Sequence, residues 1–85
     1  MQQEGSVSAR SSLAIVRNPI LALPGASLLQ GLPPDSKAAL RAVLINIRDD
    51  CRRRADECWR KHKAPMACYW KACGVYANHI ARVLA

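Results

Sequence analysis

The sequence predicts an all-α protein: an antiparallel helical hairpin of two long helices, with a short N-terminal helix and an extended N-terminal arm before it. Three observations carry this reading. Residues 35–62 hold no Gly or Pro and repeat apolar side chains at helical spacing. Pro65 follows closely, where the first turn of a second helix accepts it. From Met66 onward, apolar side chains recur at steps of three and four, the spacing of a helix-packing seam.

Taken in order, residues 1–12, MQQEGSVSARSS, are polar and small, as in a flexible tail. Residues 13–23, LAIVRNPILAL, are apolar but interrupted by Pro19, which breaks a helix. A lone strand would have no sheet to join, so an arm that packs on its own domain or on a partner is expected. Tail and arm, residues 1–23, thus stand apart from a hairpin domain over residues 24–85. Within that domain PGASLLQGLP reads as a single helical turn, with Leu28 and Leu29 inward, Gly31 in the left-handed C′ position and Pro33 blocking continuation. Asp35 is then expected to cap a helix running to about His62. Lys63-Ala64 is the short connection, and the second long helix runs to the chain end. A link this short makes the two helices antiparallel neighbours.

Projection at 100° per residue predicts which faces meet. On the first long helix Leu40, Leu44, Ile47, Cys51, Ala55, Cys58 and His62 share a stripe, flanked by Val43. On the second, Met66, Tyr69, Trp70, Cys73, Tyr76, Ala77, Ile80 and Leu84 do so, flanked by Val83. A two-helix hairpin buries little on its own, so its seam is expected to pack on the short N-terminal helix or on a second copy, the latter as a homodimer forming a four-helix bundle.

Bulk composition bounds the function. Eighty-five residues make one domain and leave no room for a nucleotide-binding α/β fold or a barrel. No apolar run approaches the ~18 residues of a membrane span. Residues 13–23 are no continuous signal segment, so the cytoplasm is the default location. Eleven of the thirteen basic residues follow Ser36, with only four of the six acids, so that segment carries the whole formal +7. All four aromatics, Trp59, Tyr69, Trp70 and Tyr76, fall there too. Such concentration fits a polyanion or an acidic protein partner, and equally a solvated Arg-rich helix face.

No residue set points to catalysis, and no enzyme is expected. There is no C-x2-C pair, no Gly-rich phosphate loop, and no Ser/His/Asp set. Asp49 and Asp50 are adjacent, hence about 100° apart, and are expected to pair with Arg53 or Arg54. His62 and His79 read as packing or capping residues rather than catalytic ones. In a hairpin centred near residue 63, Cys58 faces Cys68 and Cys51 faces Cys73. This resembles the nested disulfides of twin-cysteine helical hairpins of the mitochondrial intermembrane space. It departs from that family in its unequal spacing, and Cys68 projects away from the seam. Reduced thiols packing as small core residues are expected, with neither disulfides nor metal and no cofactor.

The strongest functional feature is a basic stripe. Arg41, Arg48, Arg52, Trp59 and Lys63 project within about 60° of each other, off the predicted packing face. Arg53 and Arg60 lie on the far side, and Lys61, Lys71 and Arg82 add surface charge. Guanidinium groups beside an indole can hold phosphate oxygens and stack on a base. The competing reading has Trp59 packed under the N-terminal arm and the arginines merely solvated.

The segment HKAPMACYWKACGVYANHIARVLA resembles the C-terminal hairpins of small uncharacterised helical proteins encoded on proteobacterial integrative elements and prophages. Those carry a similar K-A-P-M-A-x-Y-W-K-A block, with Ala where this chain has Cys. The resemblance covers about residues 32–85. It implies a mobile-element setting and brings no functional residues with it. The expected function is a small basic interaction protein, forming a homo-oligomer, that binds nucleic acid or a nucleic-acid-binding protein complex. The alternative is a protein inhibitor of a host defence system, of the anti-CRISPR type, acting by protein–protein binding. A purely structural subunit of a larger assembly is a third class.

Overall fold

The computed structural model describes residues 13–85, and every element of it is helical. Helix α1 spans Ala14–Arg17, a 3₁₀ helix Pro19–Ala22, and α2 Gly25–Gln30. The two long helices are α3, Pro34–Arg60, and α4, Ala64–Val83. They pack against each other as a helical hairpin. The expected tail, residues 1–12, lies outside the described residues. Among the described residues, no helix is long and apolar enough to cross a membrane.

The ends of the long helices follow from local chemistry. Pro34 opens α3 at a position where its missing N–H costs nothing, and the Pro33 carbonyl accepts from the Lys37 N–H at 2.9 Å. Asp35 therefore sits inside the first turn, where its charge complements the helix dipole, and is not the cap the sequence predicts. At the other end Lys63 N–H reaches the Cys58 carbonyl at 2.8 Å and His62 N–H reaches Trp59 at 3.1 Å. This is a Schellman closure, and it puts the C′ residue, His62, at φ 60°. His62 is exposed in the turn and takes no part in the predicted packing stripe. Pro65 lies in the first turn of α4, as its φ favours.

The seam between the long helices keeps Leu44, Cys51, Ala55 and Cys58 of the predicted α3 stripe and Trp70, Ala77 and Leu84 of the predicted α4 stripe, but the rest of the α4 stripe is rotated. On α4 the residues turned toward α3 are Ala67, Trp70, Gly74, Ala77, Ala81 and Leu84, again at steps of three and four. All but the half-buried Trp70 are buried, apart from Gly74's missing side chain. The predicted seam residues Met66, Tyr69 and Tyr76 are instead about half exposed. On α3 the seam runs through Leu44, Arg48, Cys51, Ala55 and Cys58, while Ile47 and Val43 turn outward. The physical reason is approach distance. A Cβ placed on Gly74 would meet the Cys51 Cβ at 3.4 Å and the Arg48 carbonyl oxygen at 3.5 Å. Helices this close need small residues between them, whatever the hydrophobic ranking of the alternatives.

The N-terminal segment also differs from expectation. Residues 13–23 are not extended but fold into α1 and the 3₁₀ helix. Asn18 makes this possible: its side-chain oxygen accepts from Ile20 N–H at 3.2 Å, capping the turn that Pro19 begins. Its Nδ2 donates to the His79 carbonyl at 2.8 Å, tying the segment to α4 across 61 residues of sequence. Asn18 is itself buried. In α2, Ala26 is buried and Leu29 half-buried, whereas Leu28 is exposed and Gly31 is right-handed at φ −82°, both contrary to the sequence reading.

Candidate nucleic-acid interface

The hairpin has two broad sides, and the seam residues decide what lies on each. Because Ala55, Ala67 and Gly74 are small, the helices leave a groove of about 570 Å³ over them. Arg52, Asp56 and Trp59 of α3 form one wall, and Cys68, Lys71 and Val75 of α4 the other. Trp59 is 65% exposed, so its indole stands largely in solvent and is not packed under the N-terminal segment. Arg41 lies farther along the same side of α3, where it lines a second, more open hollow with Lys37, Ala38, Ile45 and Leu84. Arg41 and Trp59 are thus ~27 Å apart along one helix face.

Most of the acids that might neutralise this side are engaged elsewhere. Asp50 pairs with Arg53 and with Arg54, the latter at 2.8 Å; Asp49 pairs with Arg48 at 2.9 Å; Glu57 reaches Lys61 at 3.6 Å. The Arg54 hydrogen bond holds the Asp50 carboxyl below its ordinary pKa, with both arginine charges adding to the effect. Asp56 is the acid on the groove itself. No ion pair joins Arg41, Arg52, Lys71 or Arg82 to a carboxylate among the described residues.

Of the five residues the sequence singles out, Arg41, Arg52 and Trp59 share this side. Lys63 is exposed in the interhelical turn and lines neither hollow. Arg48 is not off the packing face: it is half-buried in the seam, where its guanidinium donates to the Asn78 side-chain oxygen at 2.9 Å and to Asp49. Its work is to join α3 to α4. Lys71, which the sequence reading counts only as added surface charge, lines the groove with Arg52 and Trp59. Its signal was present, since it lies four residues after Ala67 and three before Gly74, beside the true seam.

The four cysteines are free thiols. Cys51 is buried against Gly74, and Cys58 and Cys73 are half-buried, but Cys68 is exposed on the groove wall rather than packed in a core. Burial pushes the Cys51 thiol up, and the neighbouring Cys73 adds to this. Among the described residues no three His, Cys, Asp or Glu side chains converge as metal ligands. Comparison with known proteins yields no match to a family model, a curated protein or a solved structure.

Proposed function

We infer that this antiparallel hairpin is a small basic, non-enzymatic interaction protein that binds single-stranded nucleic acid along the Arg41–Arg52–Trp59 side. The observation that carries the reading is the exposed Trp59 indole on the wall of a groove that Arg52 and Lys71 also line, over a floor of small residues. Stacking on an aromatic ring with cations tracking the backbone is how single strands are held without sequence readout. Single strands fit better than duplex, because an indole at a groove wall meets an unpaired base face directly. The mobile-element setting rests on the resemblance of the C-terminal block.

Trp59→Ala tests the reading by anisotropy of a labelled single-stranded oligonucleotide. One lost stacking contact is worth about 1–3 kcal/mol, so affinity should fall by about fivefold to a hundredfold. The melting midpoint should stay where it is, since the ring is mostly in solvent. Unchanged affinity in a folded variant contradicts the role given to Trp59.

A further inference from the structure

We propose that the side of the hairpin opposite the basic groove is a self-association surface, occupied by a second copy of this chain. On α3 the stripe Val43, Ile47, Asp50, Arg54 follows steps of four, three and four; on α4 Met66, Tyr69, Cys73, Tyr76 follows steps of three, four and three. The two stripes meet on one side. The Arg54 guanidinium carbon lies 5.2 Å from the centre of the Trp70 ring, and Tyr69 meets Trp70 edge-on at 5.2 Å.

Three observations favour a second copy. First, the described residues form a flat, open body. Its extents are 47 × 40 × 16 Å and its radius of gyration is 16.0 Å, against about 12 Å for a compact chain of this length. Stable domains are built from two packed layers, and among the described residues only the short N-terminal helices pack over the long hairpin, on α4. Second, the buried apolar side chains are mostly Ala, with one Cys, one Val and one Leu, and none of the larger side chains is completely enclosed. Burying an Ala methyl contributes only about 0.8 kcal/mol, while the larger apolar side chains of the hairpin stay outside. Third, Val43, Ile47, Met66, Tyr69 and Tyr76 are each about half exposed. Together they leave on the order of 500 Å² of apolar surface, a large part of the ~800 Å² per partner of a standard interface. The Trp70 edge, Cys73 and the stem of Arg54 supply more.

Heptad-spaced stripes on both helices suit face-to-face stacking of two hairpins into a four-helix bundle with two-fold symmetry. Such a dimer would carry its two grooves on opposite outer surfaces. On the nucleic-acid reading it would hold two strands at once, but the dimer itself does not depend on that reading.

Sedimentation velocity of the full chain at tens of micromolar, without nucleic acid, tests the proposal. The wild type should sediment as a dimer. Ile47→Asp should be a helical monomer, because Ile47 lies outside the hairpin seam, and Tyr69→Gln/Tyr76→Gln should weaken the dimer at least tenfold. Arg52→Glu/Lys71→Glu, on the other side, should remain dimeric. A monomeric wild type overturns the proposal, as does a dimer that survives the Tyr69/Tyr76 pair while Arg52→Glu/Lys71→Glu dissociates it.

Discussion

Gly74 of α4 faces Cys51 of α3 so closely that one added carbon on the glycine would touch the cysteine Cβ at 3.4 Å. This contact sets the phase of α4. It turns Ala67, Gly74 and Ala81 toward α3 and leaves Met66, Tyr69 and Tyr76 outside.

Substitutions at Gly74 should therefore depend steeply on size. Gly74→Ala adds a methyl at ordinary contact distance and removes the backbone cost of a mid-helix glycine, for an expected gain of about 0.5–1 kcal/mol. Gly74→Leu must part the helices and should lose about 1–3 kcal/mol or more. Urea denaturation separates the two. Equal stability for Ala and Leu would mean the seam is elsewhere.

His62 holds a left-handed conformation that costs a side-chain-bearing residue roughly 1–2 kcal/mol. His62→Gly should raise stability by about 1 kcal/mol, the extra freedom of glycine in the unfolded chain offsetting part of the relief. A lower melting midpoint for this variant would show that the imidazole holds the turn in some other way.

Arg48 and Arg52 look equivalent in the sequence, one helical turn apart on one stripe, and the structure separates them. Arg48→Ala removes a charged hydrogen bond to Asn78 across the seam and should cost about 1–2 kcal/mol. Arg52→Ala should stay within about 0.5 kcal/mol of wild type, as exposed positions do. Matching losses at the two sites contradict this assignment of roles.

The thiols should react in a fixed order. Cys68 is exposed and should be labelled first by a maleimide on the native protein. Cys51 is buried and its pKa is raised, so less of it is thiolate at a given pH and it should react last. Its reactivity should climb only above the pH at which an ordinary thiol ionises. Mass mapping of partly labelled protein reads the order, and early labelling of Cys51 would place it outside the seam.

The sequence makes the long helices legible because their limits are chemical. Prolines 33, 34 and 65 and an uninterrupted run between them leave few alternatives. The phase of packing is not legible in the same way. Hydrophobic ranking puts Met66, Tyr69, Cys73 and Tyr76 ahead of Ala67, Gly74 and Ala81, yet closeness of approach selects for small size. The rotation of α4 brings Lys71 onto the groove with Arg52, and on α3 Arg48 enters the seam while Ile47 turns out of it. Residues 13–23 are tied to α4 by a long-range hydrogen bond, from Asn18 to the His79 carbonyl, for which a single sequence offers no local cue.

The most direct test of the central claim is the salt dependence of binding to a labelled single-stranded oligonucleotide. Each phosphate neutralised by a protein cation contributes about −0.7 to the slope of log K against log salt concentration. With Arg41, Arg52 and Lys71 engaged, the wild-type slope should be about −2 or steeper. Arg52→Glu/Lys71→Glu should flatten it by at least about 1.4 and weaken binding at least tenfold at low salt. No binding by the wild type at low salt, or a slope and affinity unchanged by the double reversal, would contradict the account.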